Sequence, residues 1–358
     1  MKFSICIPNY NYGSYIGRTI ESVRAQTGQD LEILVSDNAS TDNSVAVVEQ
    51  INDPRIRTSV NRWNVGFASN LDRAARGASG DFMIMLSSDD LMGPGALAAY
   101  ERVFNSLGES AHRAVIASAV RVVDQNDVAT GMQNIDWKLW AGAKRDESLS
   151  KAAGADVWRL PAKALLRRSL KLLRSPLPFL STCYPRALYD AVEGYGGQRI
   201  INPDKWFIWK ILAVAEDALI IDAPLFSYRW HPTNQNAQQR SSGALKHMID
   251  QYAFTFETPP AVLRAGGLTQ ADLAEAFIEQ DVALRGLLFL ASGDRESARR
   301  GLALGKAAYA RLMSKNTKVL ALRALLLLGP VGTLLARAMR DRAMRKWTDQ
   351  LANIQGSD

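Results

Sequence analysis

Along the first 124 residues, short apolar runs alternate with segments whose apolar positions recur at helical spacing. FSICIP (Phe3 to Pro8) and LEILVSD (Leu31 to Asp37) read as strands, and Ile16, Ile20 and Val23 fall on one face of a helix expected from about Ser14 to Gln26. A second helix is expected up to about Ile51, capped by Thr41 or Asp42. Arg55 to Val60 then reads as a strand, Phe67 to Arg76 as a helix, Asp81 to Leu86 as a strand, and Ala114 to Val123 as another. Between the last two, Pro94 to Leu107 reads as a helix with proline in its first turn. This βαβ progression predicts a doubly wound, mainly parallel α/β sheet with its site just beyond the carboxyl ends of the strands.

The pattern changes after about Ile135. Residues 135–178 read as a basic, Trp-containing helical insertion, after which α/β character returns from Phe179 to Trp230. There a helix is expected around Lys205 to Ala215, followed by two short strands, ALIID and PLFSYRW. Beyond His231-Pro232 come a polar loop and helices rich in Ala, Leu and Arg, so a boundary is expected near residue 235, with an α/β domain at 1–235 and a helical region at 236–358.

Composition narrows the class. A chain of 358 residues with 47% hydrophobic and 22% charged residues can bury a large core and is not of the disordered kind. Its two cysteines, Cys6 and Cys183, offer neither a disulfide framework nor metal-ligand spacing and read as core residues of a cytoplasmic protein. The net charge of +7 calls for an anionic partner. Its basic residues concentrate in Lys163 to Arg174 and Arg295 to Lys346, among leucines rather than exposed aromatics, which favours a membrane surface over nucleic acid.

The richest chemistry lies in DFMIMLSSDD, Asp81 to Asp90, an apolar strand that opens into adjacent carboxylates. Asp89 and Asp90 there suit a divalent cation with oxygen ligands. Three further segments belong with it: Pro8-Asn9-Tyr10-Asn11 after the first strand, Asp37-Asn38 within VSDNASTDNS after the second, and Asn64-Val65-Gly66-Phe67 ahead of a helix. A tight strand exit, a base-reading carboxylate at Asp37, backbone room at Gly66 and metal ligands at Asp89 and Asp90 together suit a nucleoside diphosphate.

With these motifs, residues 1–235 resemble the inverting family 2 glycosyltransferases of bacterial cell-surface polysaccharide type, whose catalytic domain has the GT-A fold. IPNYN and VSDNASTDNS look like the motifs after that family's first two strands, and Ser87-Ser88-Asp89-Asp90 looks like its metal motif with the first carboxylate absent. The resemblance implies donor contacts from Pro8, Asn9, Tyr10, Asn11, Asp37, Asn38, Asn64, Gly66, Ser88, Asp89 and Arg229, and Mg²⁺ or Mn²⁺ held by Asp90 first, then Asp89, with His231 of a Tyr-Arg-x-His pattern nearby. It also implies a general base at Asp204, after Gly194-Tyr195-Gly196-Gly197 and within Asn202-Pro203-Asp204, where the family more often has Glu-Asp; a plain helix cap is the competing role. The reaction implied is transfer of a sugar from a nucleoside-diphosphate sugar to a hydroxyl of a lipid-linked or oligosaccharide acceptor, at the inner face of the cell membrane.

Two stretches bear on that membrane. LPAKALLRRSLKLL (Leu160 to Leu173) and Lys318 to Lys346 set leucines beside Lys and Arg at helical spacing, and the uncharged run from Ala324 to Ala336 is too short to span a bilayer. An interfacial helix pair is expected, with a helical subdomain or a homo-oligomer interface as the competing readings. His112 and His247 are expected at the surface. Two other functions stay open: a silent nucleotide-binding scaffold, and a sugar-nucleotide nucleotidyltransferase. The latter calls for a Gly-rich basic loop, whereas Pro8 to Gly13 holds a single glycine and no basic residue.

Overall fold

In the computed structural model, which describes residues 1–196, 200, 203–232, 234 and 244–355, apolar runs near the N-terminus become parallel strands buried on both faces. In chain order these elements are β1 (Lys2–Asn9), α1 (Gly13–Arg24), β2 (Asp30–Asp37), α2 (Ser44–Glu49), β3 (Ile56–Val60), α3 (Phe67–Arg76), β4 (Phe82–Met85), β5 (Leu91–Met92), α4 (Ala96–Leu107) and β6 (Ala114–Val123). After β6 come β7 (Ala129–Gln133), β8 (Lys144–Arg145), α5 (Glu147–Ala153), β9 (Val157–Pro161), α6 (Ala162–Leu172), β10 (Cys183–Pro185), α7 (Arg186–Ala191), α8 (Pro203–Val214) and β11 (Asp217–Arg229).

The sheet runs in the order β3-β2-β1-β4-β10-β6-β11-β9-β8, with β5 on β11 and β7 on β6. The β1–β2, β1–β4, β2–β3 and β6–β11 pairs are parallel, while β10 and β9 run antiparallel to their neighbours. Phe3, Ile5, Ile7, Ile33, Ile84 and Ile116 fill the core beneath α1 and α4, with Ile16, Ile20, Leu97 and Val103 from those helices. Each such side chain taken fully out of water stabilises the fold by about 1.5–3 kcal/mol. Cys6 and Cys183 are both buried free thiols, on strands that flank β4.

Several elements depart from expectation for local reasons. Helix α4 begins at Ala96, because Gly93 donates its N–H to the Leu225 carbonyl (2.8 Å) and Gly95 takes a left-handed φ of 72°, which leaves Pro94 in the turn ahead of the helix. Helix α2 begins at Ser44, whose N–H goes to the Asp42 carboxylate (2.9 Å). ALIID and PLFSYRW form one strand, β11, in which register shifts around Pro224 absorb the proline that cannot donate to a ladder. Residues 135–178, expected to be helical, hold α5 and α6 but also β8 and β9, and β9 pairs with β11 to extend the sheet.

By its contacts the chain divides into two compact units, one of Met1–Leu170, Arg174–Asn234 and Glu257–Leu268, the other of Lys171–Leu173, Gln235–Phe256 and Thr269–Asp358. Along the remaining chain lie α9 (Ala244–Glu257), α10 (Pro260–Ala265), α11 (Gln270–Phe277), a π-helical turn at Ile278–Leu284, α12 (Arg285–Ser292), α13 (Arg295–Lys315), α14 (Thr317–Leu327) and α15 (Gly329–Gln355). No helix among the described residues is long and apolar enough to cross a membrane. His112 is exposed, but His247 is half-buried beside Gln251 and Arg285 (3.0 and 2.9 Å) rather than a plain surface residue. Gly197, Asn202 and the boundary expected at 235 lie outside the described residues.

Two measurements test this packing. A Cβ on Gly93 would lie 2.8 Å from the Leu225 carbonyl oxygen, so Gly93→Ala should lower stability by about 1–3 kcal/mol in urea unfolding. Burial raises the pKa of Glu32, but hydrogen bonds from Ser4 and Ser79 and the charge of Arg57 outweigh it and hold the carboxyl at about 2, below its usual 4.5. Its stabilisation is therefore complete above pH 4.5 and lost as pH falls toward 2. Glu32→Gln should remove on the order of 3 kcal/mol of acid-sensitive stability, read as a flatter unfolding free energy across that window.

Candidate active site

At the carboxyl ends of β1 and β2 the two loops hold each other. Parallel register places Asn9 opposite Asp37, and Asn9 Nδ2 donates to Asp37 Oδ2 (2.7 Å). The Ser40 hydroxyl donates to the same oxygen (2.7 Å) and the Ser40 N–H to Oδ1 (2.8 Å), so the buried carboxylate is already engaged by its own loop. Asn11 (φ 58°) and Ala39 (φ 62°) both turn left-handed, which lets Asn11 accept from the Thr41 N–H (2.7 Å) while its own N–H reaches the Ser40 hydroxyl (2.9 Å). Asp42 closes the pair by accepting the Gly13 N–H (2.8 Å). Tyr10, 42% exposed at the tip, is left facing solvent, while Pro8 is buried in β1.

Asn38 performs the same service for the next loop. It accepts the Val65 N–H (2.9 Å) and donates to Asn64 Oδ1 (2.9 Å), and Asn64 accepts the Gly66 N–H (2.9 Å). Gly66, with φ 85°, then opens α3, a conformation that glycine adopts without strain.

The carboxylate pair after β4 meets the end of β11. Asp90 is buried, and its Oδ1 accepts the Arg229 N–H (3.0 Å). Burial and the neighbouring Asp89 push its carboxyl well above the usual carboxylate range. The Asp89 side chain instead turns toward His231, whose Nε2 lies 3.1 Å from Asp89 Oδ2. His231 stacks on Tyr15 (4.3 Å between rings) and meets Tyr12 edge-on, which fixes the plane of the imidazole. The carbonyls of Ser88 and Asp90 both accept from the Thr19 hydroxyl of α1 (2.9 and 2.8 Å), so this turn is tied to the first helix as well as the last strand.

Arg229 is fully buried. Its guanidinium donates to the Asp89 carbonyl and to Asp127 Oδ1 (2.7 Å), and it lies 5.2 Å from the Tyr15 ring. Asp127, at the β6–β7 turn with φ 68°, also accepts from Arg18 of α1 (2.7 Å). These contacts join α1, the β4 turn, the β6–β7 turn and β11 around one guanidinium.

Asp204 lies elsewhere in the same unit, half-buried in the first turn of α8, where the helix N-terminus favours an ionised carboxylate. The Gly-rich stretch ahead of it is anchored by Asp72 of α3, which accepts the Tyr195 and Gly196 N–H groups (2.6 and 3.1 Å). Lys210 of α8 donates to the Val192 and Gly194 carbonyls (2.9 and 2.6 Å).

Sequence reasoning passed over Asp127, Thr19, Asp72 and Lys210. Asp127 lies in Asp124-Gln125-Asn126-Asp127, whose composition reads as an ordinary turn, and Thr19 reads only as a small residue on a helix. The described residues contain no cluster of three or more His, Cys, Asp or Glu side chains able to hold a metal. The Asp89–His231 pair still fits a nucleotide-bound Mg²⁺ or Mn²⁺, since such ions are held by one or two protein donors together with phosphate oxygens and water.

Comparison with known proteins bears on the fold and the family. An uncharacterised glycosyltransferase of Nostoc sp. is 28% identical over 253 residues, covering 69% of this chain and 67% of the relative. A glucosyltransferase of Escherichia coli, named for transfer from UDP-Glc to α-D-GlcNAc-diphosphoundecaprenol, is 39% identical over 88 residues, 25% of this chain and 35% of its own. The chondroitin synthase of Pasteurella multocida is 38% identical over 96 residues, and there the match spans 10% of the longer protein. Among solved structures, residues 1–349 of Staphylococcus aureus TarS share the fold, with a TM-score of 0.57 at 16% identity over 97% of this chain and 92% of that one. Residues 4–170 match the family described as Glycosyl transferase family 2, which identifies this part of the chain as a domain of that family.

Proposed function

We propose that this enzyme transfers a sugar, with inversion, from a nucleoside-diphosphate sugar to a hydroxyl of a lipid-linked acceptor. The observation that carries the reading is the buried Asp89–His231–Arg229 cluster at the end of β4, set beside the interlocked loops of β1 and β2. The E. coli relative is named for a UDP-sugar donor and an undecaprenyl-diphosphate acceptor, so these are the first pair to try.

In this reading the loops carrying Pro8 to Asn11, Asp37-Asn38 and Asn64 to Gly66 receive the nucleoside. Asp37 acts mainly by holding its loop, because both of its oxygens already accept hydrogen bonds. Asp89 and His231 would hold Mg²⁺ or Mn²⁺, which when bound neutralises charge on the leaving diphosphate. Asp90 serves as the anchor of β11 rather than as first ligand, since it is buried against the Arg229 N–H. Arg229, its charge met by Asp127, holds the turn that carries Asp89. Asp204 accepts the proton of the acceptor hydroxyl as its oxygen attacks the anomeric carbon opposite the departing diphosphate.

Calorimetric titration with UDP in Mn²⁺ separates the two carboxylates. Asp89→Ala should weaken metal-dependent binding by at least about 100-fold, and His231→Ala by about 10–100-fold, whereas Asp90→Asn, which keeps an acceptor for the Arg229 N–H, should stay within about tenfold of the parent. An Asp90→Asn loss as large as that of Asp89→Ala would return the ligand role to Asp90.

For Asp204→Asn, sugar transfer should fall at least ~100-fold while nucleotide binding stays unchanged, because general base catalysis contributes about 10² to 10⁴. Retained transfer would leave Asp204 as a helix cap alone.

A further inference from the structure

The helices α14 and α15 leave an apolar face uncovered. Leu320, Leu327 and Leu328 on the first stretch and Val331, Leu334 and Met339 on the second are all exposed, Leu327 by 88% and Leu334 by 62%. Their spacing sets each group on one side of its helix, around the Gly329-Pro330 elbow. The other side is what packs: Leu322, Leu325, Leu326 and Ala336 are buried in a core with Leu290 and Ala298 of α12 and α13. Gly332 permits close helix approach, because the Leu325 carbonyl occupies the space a side chain would take. The exposed leucines are therefore not needed to hold the hairpin together. A soluble surface rarely presents so many large apolar side chains side by side.

Charge identifies what covers the face. From Lys315 to Arg340 the chain carries five basic and no acidic residues; Lys318 pairs with Glu279 and Arg340 with Asp341, which leaves Lys315, Arg323 and Arg337 to face an anionic surface. We propose that this hairpin docks on an anionic phospholipid surface, with the leucines around the elbow entering the acyl boundary and the basic side chains remaining among the headgroups. A second copy of the chain fits less well. Two-fold pairing would set the same basic flank against itself, with no carboxylate from this stretch to answer it. The proposal does not draw on the catalytic reading, and its test does not involve sugar transfer.

The full chain is sedimented with vesicles of phosphatidylcholine alone and of phosphatidylcholine with phosphatidylglycerol, alongside two variants. The parent should pellet with the anionic vesicles and lose most of that binding at high salt. The combined Leu327→Ser, Leu328→Ser and Leu334→Ser variant, altered only at exposed positions, should keep the parent's unfolding transition and lose at least tenfold in partitioning. Lys315→Gln with Arg323→Gln should lose about fivefold per charge, on anionic vesicles only. A parent that ignores anionic vesicles, or a serine variant that pellets as well as the parent, would overturn the proposal. A dimer in sedimentation equilibrium that dissociates in the serine variant, with no vesicle binding, would overturn it in favour of a second copy.

Discussion

The catalytic unit depends on the burial of one guanidinium. Arg229 is fully buried, so its charge must be met by the Asp127 carboxylate, the Asp89 carbonyl and the Tyr15 face. Each of those partners comes from a different part of the chain. Satisfying one buried cation therefore fixes α1, the β4 turn and the β6–β7 turn relative to β11, and with them the Asp89 side chain. A surface ion pair would exert no comparable constraint, because either partner could exchange for water at little cost.

Around this anchor the loops at the sheet edge are prepared before any ligand arrives. Asn9, Asn38, Asn64 and Ser40 form hydrogen bonds to neighbouring backbone and side chains. Such cross-bracing lowers the entropy that a ligand would otherwise remove from the loops on binding. It also explains why asparagine and serine crowd these motifs: short polar side chains can bond backbone groups locally and accept left-handed conformations, as Asn11 does.

Most of the parallel half of the fold was legible, because strands buried on both faces advertise themselves as continuous apolar runs and α3 follows from its spacing alone. The join of ALIID to PLFSYRW was hidden by Pro224, since a strand that survives a proline does so through bulges that only its neighbours reveal. Strand β9 was hidden inside a basic segment whose short VWRLP run is no more apolar than a helix face. Within the site, the sequence shows that Asp89 and Asp90 follow β4, but not which way each side chain turns. Adjacent residues in a turn point in different directions, and which one meets His231 depends on where β11 ends. Asp127 gave no signal because its partners lie 109 and 102 positions away.

Sheet topology also sets a schedule for synthesis. β11 lies between β6 and β9, yet all of the chain through β9 leaves the ribosome before it. Until it inserts, β6 and β9 have an unpaired edge at the middle of the sheet, Asp90 lacks its backbone donor and Asp127 lacks its guanidinium. Between the synthesis of β6 and that of β11 the nascent protein thus carries a gap the width of one strand, and such edges are where chains stick to one another. Cellular holding factors would find their natural target in that interval.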